Sequence, residues 1–319
     1  MTTTDIETTA VSQEPLWRIR LRLIAKSVRT NWALFTENKI GLIGLLGIVF
    51  FGLFALAHPI MMNTVWADDQ RVYDPISGHD LMIAFHPSPP SARHWLGTDP
   101  LGRDVLSQLM FSTRYEFALG VFAAVITVVI ATSIGASAAY YGGVADMLLM
   151  RLVDLIIMVP FLPILIVLGA LVEVGMFELA IVIGVLSGFG GTSIVIKSQA
   201  LTVKVKPYIE AARIAGGSDF HIITKHLIPN LLPIALLYMM FVVTGAIFTE
   251  AALSFLGLTT IEMSWGIMIN VTQTFGYIMR FDTWYLLLPA SLAISTLCAS
   301  FYLVGRALDE VVNPRLRRR

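Results

Sequence analysis

The chain has 319 residues, and its 22 Lys and Arg balance its 22 Asp and Glu, leaving no basic footprint for nucleic acid. Only 14% of it is charged and 56% is hydrophobic, against about 25% and about 45–50% in a soluble domain. With a mean hydropathy of +0.75, this composition excludes an ordinary soluble enzyme and points to an all-α protein that crosses a membrane several times.

In chain order, residues 1–13 are Thr-rich and read as disordered. Over 14–39, Leu16, Ile19, Leu23 and Ile24 fall near helical spacing among Arg18, Arg20 and Arg22, which predicts an amphipathic helix lying in the lipid headgroup layer. A disordered basic leader is the alternative. A bilayer core about 30 Å thick needs about 20 apolar residues of helix, and six runs qualify: 40–62, 117–141, 148–172, 177–196, 228–256 and 284–304. Each run is continuously apolar instead of alternating, so helices and not strands are predicted. The first is not a cleaved signal, because Asp5, Glu7, Glu14 and Glu37 precede it where a signal would carry a short basic leader.

With the N-terminus in the cytoplasm, 17 of the 22 Lys and Arg lie inside, leaving Arg71, Arg93, Arg103, Arg114 and Arg280 outside. Both termini are then cytoplasmic. Residues 63–116 form a long outer loop, 197–227 an inner loop, 257–283 a second outer loop, and 40–319 one six-helix transmembrane domain.

The span centres are nearly free of charge, whereas a secondary carrier needs ionisable relays there despite a cost of about 2.5–3.5 kcal/mol each. Arg151 and Asp154, three apart, suit a structural ion pair. Glu250 is open to two readings, cavity lining or helix packing. Ala131, Gly135 and Ala139, and Gly184 with Gly188, have the spacing of closely packed helices. Pro160, Pro163 and Pro233 should kink or loosen their helices, for a transport path or for plain curvature.

Several site patterns fail. The run from Gly191 to Ser198 mimics a phosphate loop but has Ile196 where the second Gly must stand. His79, His86 and His94, with Asp68, Asp69, Asp74 and Asp80, fit no metal-ligand spacing and read as solvated loop residues. His221 and His226, five apart, fall on different faces of a helix, which argues against joint ligation. Cys298, the one cysteine, excludes a disulfide framework and a cysteine-based metal site. The sequence shows no nucleophile elbow, HExxH or paired-carboxylate arrangement, so neither a catalytic residue nor a bound cofactor or metal is expected.

The inner loop carries the informative segment. Pro207 opens a short helix, Glu210 sits near its positive end, Ala211 and Ala212 favour it, and Gly216 stops it. Ser218 or Asp219 then caps a second helix running to Pro229. A surface element with small alanines and a terminal glycine suits docking into another protein's groove; a plain hairpin on the membrane surface is the alternative.

These residues resemble the hallmark of ABC importer permeases: Glu-Ala-Ala, three residues, Gly, nine residues, Ile-x-Leu-Pro. Here Glu210-Ala211-Ala212 precedes Gly216, and nine residues on stands His226-Leu227-Ile228-Pro229. A narrower resemblance, to the C subunits of oligopeptide and dipeptide permeases, runs from about Asn38 to Arg317. It is carried by Leu96-Gly97-Thr98-Asp99-Pro-Leu-Gly102-Arg103-Asp104, Tyr140-Tyr141-Gly142-Gly143, Met150-Arg151-Leu152-Val153-Asp154, the run from Glu250 to Gly257, Ser264-Trp265-Gly266 and Asn313-Pro314-Arg315. His226 is usual in that subfamily. Pro289-Ala290 and Gly305-Arg306 depart from the common Pro-Gly and Gly-Asp.

The resemblance implies a type I, MetI-like permease of six membrane helices in a prokaryotic plasma membrane. It implies a B-type permease partner, two ATPase subunits that carry ATP and Mg, and an extracytoplasmic binding protein. Glu210, Ala211, Ala212, Arg213, Gly216, Gly217, Ser218, Asp219, His226 and Pro229 would couple to the ATPases. Peptide is the expected cargo; nickel complexes, glutathione and oligosaccharides are also served in the subfamily. An ATP-independent channel or carrier is the competing class.

Overall fold

The computed structural model describes residues 16–312, and among them the chain is helical apart from connecting turns and one long loop over 64–104. Residues 1–13 and the Asn313-Pro314-Arg315 motif lie outside the described residues. The first helix, α1 (Leu16–Glu37), is followed by α2 (Lys39–Asn63). Asn38 separates them: its Oδ1 accepts from the Gly41 N–H at 2.9 Å as an N-cap, and its Nδ2 donates to Glu310 of the last helix at 2.6 Å.

The centre of the bundle is α3 (Val105–Tyr141), a helix of 37 residues. It begins at 105, not at 117 as predicted. The polar Gln108, Arg114 and Glu116 mask its first turns in the sequence, yet Gln108 and Glu116 are buried there. The predicted third span is broken into α4 (Gly143–Met158) and α5 (Phe161–Leu171), bent by 74° where Pro160 denies the helix a donor. The fourth is α6 (Met176–Gly188) and α7 (Gly191–Lys204), bent by 44° at Gly190 and extending well past 196. After α8 (Pro207–Ile214) and α9 (Asp219–Ile222) come α10 (Ile228–Phe255), α11 (Trp265–Thr274) and α12 (Trp284–Val312). Pro233 lies inside α10 without breaking it. The expected 257–283 loop thus contains a helix. Four helices are long and apolar enough to cross a membrane, or six if each bent pair is one span.

α3 packs against α2, α6, α7 and α10, while α12 closes on α2 and α10. The small residues are where these helices touch. A Cβ on Gly184 would stand 2.7 Å from Ile126 and 2.9 Å from the Ala123 carbonyl, and one on Gly135 would stand 2.8 Å from Ile196. Gly184→Leu is therefore expected to lower stability by about 1–3 kcal/mol through overpacking, read as a lower thermal midpoint in detergent. Gly52→Leu, where the site is open, should leave it unchanged. On the outside, α2 exposes Ile43, Leu46, Phe50, Leu53 and Ile60, a surface suited to lipid. Arg151 and Asp154 do approach, at 4.0 Å, but both are exposed and the pair is weak.

Candidate coupling hairpin and the capped first loop

α8 and α9 form a hairpin at one end of the bundle. Pro207 occupies the first turn of α8, where its missing N–H costs nothing, and Glu210 lies in the same turn. The helix ends as predicted at Gly216, whose φ of +83° disfavours any side chain. The Gly216 N–H donates to the Arg213 carbonyl and the Gly217 N–H to the Ala212 carbonyl, both at 3.0 Å. Of the two predicted caps, Ser218 serves, accepting from the His221 N–H at 3.3 Å.

Asp219 is thereby free for another partner, accepting from the Tyr140 hydroxyl at the end of α3 at 2.7 Å. Beneath the hairpin, Ile209, Ile222, Ile223 and Leu227 are buried with Ala136, Tyr140, Ile196 and Val203 of α3 and α7. Lys204 reinforces the joint by donating to the Ala139 carbonyl at 2.9 Å. The outer side is apolar and bare: Ile214 is 81% exposed and Phe220 75%, beside exposed Glu210, Ala211 and Arg213. The Arg213–Glu210 pair at 3.3 Å is solvated and weak. Tyr140 was not singled out from the sequence, although it opens the Tyr140-Tyr141-Gly142-Gly143 motif.

The second helix does not stop at Pro229. A π turn over Ile223–Leu227 carries it into α10, giving one helix over 219–255. Pro229, in the first turn of α10, is exposed and His226 is half-buried. The same turn corrects the reading of His221 and His226: residues five apart are neighbours in a π turn, and the rings lie 5.5 Å apart. Among the described residues no group of three or more His, Cys, Asp or Glu is arranged to hold a metal ion.

At the opposite end of α3, residues 64–104 fold onto its N-terminus. Asp104 caps the helix, accepting from the Ser107 N–H at 2.7 Å. Its other oxygen meets His94 Nδ1 at 2.8 Å, His94 Nε2 meets Asp80 at 3.1 Å, and Asp80 pairs with Arg93 at 2.7 Å. His94 and Asp80 are thus fully buried and not the solvated loop residues predicted; their partners lie 10 and 14 residues away in the same loop. His86 also leaves solvent in part, bonding Thr98 at 2.8 Å, while His79 stays exposed. Asp99 gathers the rest. It accepts from the Leu101 and Arg103 N–H groups, from Arg103 Nε at 2.7 Å and from Gln108 at 2.9 Å. Gly97 and Gly102 turn the chain at positive φ, and a Cβ on Gly102 would collide with the His79 ring.

Burial opposes a charge on His94, but the hydrogen bonds its ring donates to Asp104 and Asp80 outweigh it and hold its pKa above the ordinary value. Burial likewise pushes Asp80 up, and the Met82 N–H, His94 and Arg93 together pull it below the usual carboxylate range. The raised histidine stabilises the loop fully below the ordinary His pKa and loses that contribution as pH rises through the raised value. The lowered aspartate contributes fully above the ordinary Asp pKa and fails as pH falls through the lowered one. Protease resistance of the 64–104 loop should therefore peak between these limits, and His94→Gln should abolish the alkaline limb.

The motifs at 250–257 and 264–266 pack against their neighbours. Trp265 of α11 is buried, donating to the Leu109 carbonyl at 3.1 Å, and Asn270 donates to the Phe255 carbonyl at 2.7 Å. Between α5, α6, α7 and α10 runs a groove of about 620 Å³, lined by Phe161, Ser187, Thr192, Tyr238, Gly245 and Thr249 among others.

Residues 131–318, which include the hairpin, match the family described as binding-protein-dependent transport system inner membrane component. The dipeptide transport system permease protein DppC of Bacillus subtilis is 32% identical, over 90% of this chain and 85% of its own length. The oligopeptide permease protein OppC of the same organism is 32% identical over 89% and 88%, and the glutathione permease protein GsiD of Pectobacterium atrosepticum 30% over 92% and 94%. The chain belongs to this transport permease family. The permease is thus a multi-pass membrane component of a binding-protein-dependent ABC importer, as the resemblance of its motifs implied.

Proposed function

We propose that the permease forms one half of a heterodimeric pore importing di- and oligopeptides across a prokaryotic plasma membrane, with six spans and both termini in the cytoplasm. A B-type permease supplies the other half, and an extracytoplasmic binding protein delivers cargo to the end bearing the 64–104 loop. The α1 helix lies along the cytoplasmic headgroup layer. Two ATPase subunits, which hold ATP and Mg, grip the α8–α9 hairpin, and their closure switches the pore between its two facings. The motif of Gly97, Thr98, Asp99, Gly102, Arg103 and Asp104 serves as the rigid cap of α3 at the delivery end. This chain does no bond chemistry of its own.

The observation that carries this reading is the two-sided hairpin. Its inner side is fixed to α3 and α7, while the Ile214 and Phe220 side chains stand in the open. Exposed apolar groups on a firmly held element suit a protein groove. The peptide assignment rests on the dipeptide, oligopeptide and glutathione relatives. The groove between α5, α6, α7 and α10 offers Ser187, Thr192 and Tyr238 hydroxyls to a peptide backbone.

The test is uptake of labelled di- and oligopeptides into liposomes holding the complete assembly. Uptake should require ATP inside the cytoplasmic compartment and the binding protein outside. Ile214→Asp with Phe220→Asp should release the ATPases while leaving the permease inserted. Unchanged uptake after ATP depletion would replace this reading by a channel or carrier.

A further inference from the structure

Glu116 on α3 and Glu250 on α10 are both buried, and their carboxyls face each other inside the bundle. Among the described residues no Lys, Arg or His forms an ion pair with either. Glu250 is well supplied: Ser254 donates to its Oε1 at 2.6 Å while pairing with Thr259 at 2.8 Å, and Ser264 at the start of α11 also faces it. Its Oε2 has no partner. Glu116 is poorly supplied, for both of its oxygens lack a close hydrogen bond and only the Trp265 backbone N–H points its way. The remaining titratable neighbour is the Cys298 thiol of α12, which donates to the Thr244 carbonyl.

Two ionised carboxylates facing one another here would carry uncompensated charge in a medium of low dielectric. One proton removes the difficulty. Placed on Glu116, it gives that group a donor, satisfies the idle Glu250 Oε2, and leaves a single charge on the carboxylate that already has hydroxyl donors. We infer that Glu116 and Glu250 share one proton as an acid–carboxylate pair that ties α3 to α10 and to the start of α11. The structure thereby selects helix packing for Glu250, and it does so whatever cargo the permease carries.

The experiment is infrared spectroscopy of the whole complex in liposomes at neutral pH. The expected result is one un-ionised carboxyl band that shifts in D2O, is lost in Glu116→Gln and is shifted but retained in Glu250→Gln. If Glu116→Gln does not accumulate, the unsubstituted protein against Glu250→Gln still decides. Absence of the band in the unsubstituted complex overturns the proposal, as does a band untouched by either substitution. Loss of the band on adding sodium chloride also overturns it, by assigning the site to a cation.

Discussion

Alanine at position 99 is expected to unseat the whole cap on the first turn of α3. The Asp99 carboxylate receives two backbone N–H groups, the Gln108 amide and the Arg103 guanidinium, and Arg103 lies 2.6 Å away at its Nη2. Arg103 is only 7% exposed, so removing Asp99 leaves a buried cation without its counter-charge. Breaking such a pair costs about 3–5 kcal/mol, a large part of a typical folding free energy of about 5–15 kcal/mol. Limited proteolysis should cut the 64–104 loop of Asp99→Ala under conditions where the unsubstituted protein resists, and less of it should accumulate in membranes. Asp99→Asn keeps an acceptor oxygen and should fall between. Equal resistance of all three would mean that the loop is held by something else.

Proline at position 216 should abolish transport without touching insertion. The residue adopts φ of +83°, while a proline ring fixes φ near −65°, and the substitution also removes the N–H that donates to Arg213. The turn between α8 and α9 cannot then form, and Ser218, Asp219 and Phe220 lose their places relative to Glu210. A Cβ at Gly216 would meet nothing within 4 Å, so the effect lies in the turn and not in a clash with the bundle. Glu210→Lys attacks the same surface differently, by putting a cation in the first turn of α8, where the helix dipole disfavours it. Peptide uptake by reconstituted vesicles should drop at least tenfold for either variant, with membrane content unchanged. Normal uptake by both would detach the hairpin from energy coupling.

The sequence made the membrane class and the hairpin legible for a physical reason. Apolar runs report lipid exposure directly, and Pro207, Gly216 and Ser218 act through backbone rules that operate within a few residues. Contacts beyond a few residues left no such trace. Asp80, His94 and Asp104 look like ordinary loop polar residues until the fold brings them together, and Tyr140 meets Asp219 from the far end of another helix. Glu116 is the same case at greater depth, since a carboxyl beside a predicted loop reads as solvated. Length errors had a different origin: the first turns of α3 are polar because they face a folded loop, not lipid. The π turn over Ile223–Leu227 breaks the 3.6-residue periodicity just past His221, and the His221 and His226 rings come to share a side.

Of the candidate membrane-spanning elements, α4–α5 and α6–α7 each contain a joint, whereas α3 runs unbroken from Val105 to Tyr141. At 1.5 Å per residue it is a rod about 55 Å long, with the Asp104 anchorage at one tip and the Tyr140 clamp at the other. A stiff beam cannot tilt at one tip alone. Any push on the hairpin that rocks α3 must swing the loop at its far tip by a comparable arc in the opposite sense, with the articulated helices flexing alongside.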